Sequence, residues 1–190
     1  HILLAGQQTN LAVALLKDPG LADRLEEVTV MGFNFQTGID PYNVGGDLAA
    51  ARLVLASGIP LTVLPSEIGI ACQMTEAEYA DCLAATCPQN RILAAAMRRW
   101  VAFVRHRPST PLPTYCPRPY DSLAAMTLTH PQVFEFQRGT IRLDSGEVPT
   151  QTRATFEKSA TGIHRLVTAV DRDKAMRIHQ ERLLACAAGR

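Results

Sequence analysis

The sequence predicts an α/β fold, a mostly parallel open sheet flanked by helices around a Rossmann-like core. Three observations predict it. Short apolar runs at Ile2 to Ala5, Val28 to Met31 and Leu61 to Leu64 alternate with helix-length apolar segments. Gly or Pro punctuates the junctions between them. Loops rich in Gly, Asn and Asp follow the runs, at the strand ends where such domains place their chemistry. With 190 residues, 47% of them apolar and 19% charged, the chain has the material for one core, and 1–190 is read as a single domain.

Ile2 to Ala5 reads as a buried strand stopped by Gly6. Thr9 or Asn10 is placed to cap a helix from Leu11 to Lys17, and Asp18-Pro19-Gly20 ends it. Leu21 to Leu25 forms a short turn of helix before the strand Val28 to Met31. Phe33 to Gly46 has no periodicity and is a loop. Leu48 to Ser57 is helical, with Gly58 as its stop, and leads to the strand Leu61 to Leu64. Thr75-Glu76-Ala77-Glu78 has the spacing of a capping box and opens a helix through Ala85. A longer helix runs from about Asn90 to Arg105. Pro108 to Pro119 holds five prolines and is read as a rigid loop beside the site. Asp121 caps a helix through Thr129. Phe134 to Gln137 and Thr140 to Leu143 read as two strands turning at Arg138-Gly139. Gly146 to Gly162 reads as a polar loop, Leu166 to Val170 as a late strand, and Asp171 as the cap of a last helix through about Ala187.

The formal net charge of +1 gives no electrostatic argument for nucleic acid or for a membrane surface, and no apolar run is long enough to span a bilayer. The five cysteines, at 72, 82, 87, 116 and 186, form no CxxC pair and fit a reducing, cytoplasmic setting. The five histidines show no metal-binding spacing and read as structural or solvent-facing. No phosphate-binding glycine loop and no nucleophile elbow is present. The opening His1-Ile2-Leu3-Leu4-Ala5 begins inside an apolar run, as though a strand had been cut, and the N-terminus is read as a truncation.

Three segments carry polar groups at strand or helix ends. Gly6-Gln7-Gln8-Thr9-Asn10 joins a strand to a helix N-terminus, and a turn with an N-cap accounts for it locally. Asn34, Asp40, Tyr42, Asn43 and Asp47 follow the second strand; their amides and carboxylates suit sugar hydroxyls, although turn formation alone also explains them. Tyr120 and Asp121 open the helix after the proline-rich stretch, where Asp121 is both a helix cap and a hard oxygen ligand suited to calcium or magnesium.

In this order, the segments resemble the inosine–uridine-preferring nucleoside hydrolase family. Leu4-Ala5-Gly6-Gln7-Gln8-Thr9-Asn10-Leu11-Ala12 is similar to its GPLTNLA turn, and Val30-Met31-Gly32 to its VMGG strand end. Tyr42-Asn43-Val44, with Asp47 and Ala49-Ala50-Ala51, is similar to EFN…DPEAA. Tyr120-Asp121-Ser122-Leu123-Ala124 is similar to HDPLA, and Arg138-Gly139-Thr140 to the later RGxT strand. The resemblance implies hydrolysis of the N-glycosidic bond of ribonucleosides, in purine or pyrimidine salvage, with a calcium ion (Ca2+) holding the ribose hydroxyls and the attacking water. It implies that Thr9 ligates the ion through its carbonyl, Asp121 through its carboxylate, and that Asn43 binds ribose. Asn34 and Asp40 are further sugar-binding candidates, and Asp121 and Tyr120 are the catalytic ones.

The chain departs from the pattern at several points. The family's DxDPGxDD segment, with its first strand, most of the ligands and the general base, has no counterpart here. Pro41 stands in place of a sugar-binding Glu, for which Asp40 is the nearest substitute. Tyr120 replaces a His that protonates the leaving base in some members; a phenol is the weaker acid. These departures set up an alternative, a truncated or degenerate homologue without hydrolase activity that retains sugar or partner binding. A third reading, an unrelated doubly wound domain, expects Thr9, Asn43 and Asp121 not to converge. Loss of a central strand also predicts poor solubility or association into a homo-oligomer.

Overall fold

Val28–Met31 and Leu61–Leu64 are buried at every residue, as inner parallel strands covered on both faces require. The computed structural model describes residues 1–38, 40–84, 88–105, 116–144 and 152–185. Its contacts divide them into two compact units, one drawn from His1–Ile70 and Tyr120–Val170, the other from Ala71–Pro119 and Asp171–Arg190.

The first unit holds β1 (Ile2–Leu4), α1 (Thr9–Lys17), α2 (Leu21–Arg24), β2 (Val28–Met31), α3 (Leu48–Ala56) and β3 (Leu61–Leu64). It continues through α4 (Ser66–Ala71), then α7 (Tyr120–Thr129), β4 (Phe134–Leu143), β5 (Ala154–Lys158) and β6 (His164–Val170). The strands form one sheet of order β1-β2-β3-β6-β4-β5. β1, β2, β3 and β6 run parallel, and β4 runs antiparallel to both β6 and β5. The sheet is therefore open and mixed, with the parallel part at the β1 side, as the sequence predicts.

Period two along the inner strands sorts the two faces. Val28, Val30, Leu61 and Val63 join the core cluster with Leu11, Ala12 and Leu15 of α1 and Ala50, Ala51 and Val54 of α3. Thr29, Met31, Thr62 and Leu64 alternate with them; α7 packs on β2 and β3 through its own buried Leu123, Ala124, Met126 and Thr127. Because β1, β2 and β3 run parallel, the loops that follow them leave the sheet at one end.

Local structure differs from the sequence reading at several places in this unit, among them β1, which is half-exposed where a buried strand was expected. Phe134–Leu143 is one continuous strand, not two: Arg138 pairs with Arg165, and Gly139 pairs with His164 and Lys158. Gly139 is needed for space, since a Cβ there would lie 2.2 Å from the carbonyl oxygen of Glu157. The stretch read as a polar loop contains β5, a short edge strand in which only Ala154 and Phe156 turn inward, against exposed Thr155, Glu157 and Lys158. α4 was not expected at all. α7 starts at Tyr120, so Asp121 lies inside the first turn rather than at the cap.

The second unit contains α5 (Glu76–Ala84), α6 (Pro88–Arg105) and α8 (Arg172–Ala185). The capping box forms as read: Thr75 N–H donates to Glu78 Oε2 at 2.7 Å, and Glu78 N–H to Thr75 Oγ1 at 3.1 Å. Asp171 caps α8 by accepting from Lys174 N–H at 3.2 Å. Arg172 binds Glu78 Oε2 at 2.7 Å and the Gln73 carbonyl at 2.9 Å. Most of the proline-rich stretch, residues 106–115, lies outside the described residues.

Cys72, Cys82 and Cys116 are buried, and burial pushes the Cys72 thiol up to about 11, as expected of inert core cysteines. Cysteines 87 and 186 lie outside the described residues. His164 and His179 are buried rather than solvent-facing, and burial lowers the pKa of both. His164 Nδ1 accepts from Leu61 N–H at 3.3 Å, a structural link between β6 and β3. No helix of the described residues is long and apolar enough to cross a membrane.

Candidate active site

The carboxyl ends of β1, β2 and β3 release three loops. The first leads from Leu4 to the start of α1. Thr9 is the first residue of that helix, and its hydroxyl donates to Asp47 Oδ2 at 2.6 Å instead of capping the helix. Gln8 occupies the cap position with no side-chain cap bond; it is fully buried, and its amide has no hydrogen-bond partner among the described residues. Asp47 caps α3 by accepting from Ala50 N–H at 3.0 Å. The Thr9 hydroxyl, and then that N–H, hold the Asp47 carboxyl below its ordinary value. Gly46 has room only for hydrogen beside the Gln7 side chain, so the first loop and the Tyr42–Asp47 segment lie against each other.

The second loop leaves β2 at Gly32 and turns sharply. Phe33 has φ of 68°, a left-handed conformation that costs a side-chain-bearing residue energy and clusters at functional sites. Three contacts hold it there. Its N–H donates to Asp40 Oδ2 at 2.8 Å, its carbonyl accepts from Ser66 N–H at 3.0 Å, and its buried ring stacks on Phe35 with centroids 5.7 Å apart. Asp40 also accepts from the backbone N–H groups of Tyr42 at 3.0 Å, Asn43 at 3.3 Å and Val44 at 3.4 Å. Asn43 Nδ2 donates to the Met31 carbonyl at 2.9 Å, which fixes its amide over the end of β2. Asn34 Nδ2 donates to Ser66 Oγ at 2.9 Å, while its Oδ1 accepts from Thr37 N–H at 2.8 Å and Thr37 Oγ1 at 2.9 Å.

The third loop is short and enters α4. Its Glu67 accepts from Phe35 N–H at 3.0 Å through Oε1; Oε2 is buried without a partner among the described residues. A Cβ on Gly69 would stand 2.0 Å from Tyr120 Cδ1, so the absent side chain makes the seat for the Tyr120 ring. Asp121 follows Tyr120, is solvent-exposed on one side, and has no hydrogen-bond partner among the described residues. Partial burial of its carboxyl pushes the pKa up.

A continuous path of contacts thus links the loops: Thr9 to Asp47, Asp40 to Phe33, Phe33 and Asn34 to Ser66, and Gly69 to Tyr120. Thr9, Asn34, Asp40 and Asn43 are brought together in the loops after β1 and β2. Tyr120 reaches the same end of the sheet through α4. Asp121 makes no direct bond to Thr9 or Asn43. Sequence reasoning missed Gln8, Ser66, Glu67 and the strained Phe33. Only Pro65-Ser66-Glu67, a helix-start pattern, carried a local signal.

An open sheet whose polar loops gather at the carboxyl ends of its parallel strands is the architecture of α/β proteins that bind small molecules. The profile of the inosine-uridine preferring nucleoside hydrolase family matches residues 1–177, and the chain belongs to that family. A probable uridine nucleosidase 1 of Oryza sativa subsp. japonica is 24% identical over 164 residues, 78% of this chain and 46% of that protein. The structure of a plant nucleoside hydrolase superposes with a TM-score of 0.83 at 21% identity, over 96% of this chain and 61% of the other. A purine-preferring ribonucleoside hydrolase from Gardnerella vaginalis gives 0.78 at 19% identity, over 98% and 61%. The chain therefore spans about half to three-fifths of the length of these relatives.

The family is in general metal-dependent, which makes the donor set a test of this chain. The Thr9 carbonyl enters the helical hydrogen-bond ladder but keeps a second lone pair, and Asp121 offers a carboxylate. Among the described residues, no three His, Cys, Asp or Glu side chains gather as a metal site. Calcium takes six to eight oxygens, so these two donors by themselves do not fit the ion.

Proposed function

We propose that the chain carries the ribose-holding part of a nucleoside N-ribohydrolase, which splits the N-glycosidic bond of a ribonucleoside into free base and ribose. The observation behind this reading is a contrast in hydrogen bonding at the strand ends. Asn43 is anchored through Nδ2, which leaves its Oδ1 as an acceptor for a sugar hydroxyl, and the Asp121 carboxylate accepts nothing from the described residues. Asn34 and Asp40 direct their polar atoms to the loop itself, so in this reading they hold the sugar-facing backbone in place. Tyr120 is the proton donor toward the departing base, seated by Gly69. Removal of a proton from the attacking water needs a carboxylate base that these residues do not supply. The chain alone is therefore expected to turn over slowly or not at all.

The test is release of free base from inosine, uridine or p-nitrophenyl riboside with calcium present. It is run on the chain alone and on the chain fused in cis to an Asp-rich segment of the family pattern. Release by the fusion only supports the proposal. Rapid release by the chain alone refutes the incomplete site. Release by neither form, with nucleoside binding retained, favours the degenerate homologue. Among the described residues β1 pairs with β2 alone, and its other edge is the route we propose to a homo-oligomer. Sedimentation as a monomer counts against that part.

A further inference from the structure

The loop after β2 is held at its base by Asp40 and on the β3 side by Glu67, which takes the Phe35 N–H. Its tip is held from another quarter, by the start of β5. Ala154 N–H donates to the Gly38 carbonyl at 2.7 Å. Arg153 Nη1 donates to the Thr37 carbonyl at 2.9 Å, across 116 positions of sequence. Two successive carbonyls of the loop thus meet two successive residues of the hairpin. Gly38 permits the approach. Its φ is 77°, and a Cβ there would lie 3.4 Å from both Cβ and Cγ of Arg153, so the arginine stem runs along the glycine. Phe35 meets the Phe156 ring edge-on, with centroids 6.0 Å apart.

Arg153 is itself pinned. Its N–H donates to Asp144 Oδ1 at 2.9 Å, and its carbonyl accepts from Asp144 N–H at 3.0 Å. These bonds use its backbone. The pairing of β5 with β4 covers Ala154 to Lys158 and makes no use of the guanidinium, and the residue is exposed. What the guanidinium reaches belongs to the candidate site. Thr37 donates twice to Asn34 Oδ1, through its N–H and its hydroxyl, which leaves Asn34 Nδ2 to bond Ser66 Oγ. Turned over, the Asn34 amide would set its NH2 against the Thr37 N–H, donor against donor. Thr37 therefore decides which way that amide faces, and Arg153 fixes where Thr37 stands.

We propose that Arg153 is a positioning residue for nucleoside binding: through Thr37, its guanidinium fixes the Asn34 amide and the sugar-facing backbone of the loop after β2. The inference rests on the nucleoside reading above. The full chain is compared with Arg153→Met, which keeps the stem along Gly38 and removes the donor, and with Arg153→Lys, which keeps a charged donor. Two measurements are made on each: inosine binding by calorimetry with calcium present, and hydrogen exchange of the backbone amides. Arg153→Met is expected to speed exchange at Thr37 about tenfold and to weaken inosine binding by about the same factor, as loss of one charge-assisted bond predicts. Exchange in β2 and β3 should stay as in wild type, and Arg153→Lys should recover most of the affinity. Faster exchange at Thr37 with inosine affinity unchanged makes the contact structural only and overturns the proposal. Unchanged exchange at Thr37 also overturns it, because the guanidinium then holds nothing. Absence of inosine binding by wild type refutes the nucleoside reading itself, and with it the role given to Arg153, whatever exchange at Thr37 shows.

Discussion

In the loop after β2, the Asp40 carboxylate receives the backbone N–H groups of Phe33, Tyr42, Asn43 and Val44; at the start of α7, the Asp121 carboxylate receives none from the described residues. The two groups are alike in sequence and belong to the same end of the sheet. Their surroundings separate them. Asp40 is a fixed internal acceptor whose removal leaves a strained turn without its support. Asp121 retains its lone pairs and is only partly buried, which leaves its carboxylate open to a ligand. A site of this kind is built from groups of the first type, so that groups of the second type can stay unpaired.

Asp40→Ala breaks the comparison most severely. It strips the buried Phe33 N–H of its acceptor while the residue must hold φ of 68°, and it loosens three further N–H groups. The expected loss is about 3 kcal/mol, seen as a lower urea midpoint, with Asp40→Asn losing less because one oxygen remains. A loss under about 0.5 kcal/mol would mean the loop holds itself. Gly69→Ala comes next. Its new Cβ meets the Tyr120 ring 2.0 Å away, and the expected cost is about 2 kcal/mol. In a Tyr120→Ala background the same substitution should cost almost nothing, so a double-mutant cycle isolates the contact.

Thr9→Val is expected to cost about 1 kcal/mol by removing the 2.6 Å bond to Asp47. Its pH dependence follows from the sign of the shift. The Asp47 pKa is lowered in the folded chain, so the bond adds stability above the unfolded value of about 4. That stability is lost as pH falls through the folded value. Wild type and variant should therefore differ at neutral pH and converge in acid; a gap that persists in acid would assign the Thr9 effect to packing.

The sequence was legible where structure depends on neighbours along the chain. The capping box at Thr75 and Glu78, the cap at Asp171 and the apolar runs of β1, β2 and β3 are all local signals, and each forms. It was not legible where the reason lies far away. Gly139 looks like a turn residue, yet it is required by the Glu157 carbonyl across the sheet. β5 is a short edge strand whose alternation rests on Ala154 and Phe156 alone, too brief to stand out among polar neighbours. The same limit applies to the site. Asn34 and Asp40 read as sugar-binding groups from their type and loop, while their partners, Ser66 and the twist at Phe33, appear only on folding. For Glu67 the local signal was a helix start and not its role, because its carboxylate is used by a backbone N–H 32 positions away.

The smallest effect tests the other side of the comparison. Burial raises the Asp121 pKa with no partner to offset it, so the ionised carboxylate opposes folding. For a raised carboxyl, stability is fully present below the unfolded value and falls as pH rises through the folded value. Asp121→Asn should therefore match wild type in acid and be equal or slightly more stable at neutral pH, by no more than about 0.5 kcal/mol given the exposure of the residue. Thermal melts at acid and neutral pH measure it. If Asn costs stability at neutral pH, the carboxylate already has a stabilising partner, and Asp121 is scaffold like Asp40. If the substitution is neutral or favourable, the fold gains nothing from the charge, as the proposed ligand-facing role of Asp121 requires.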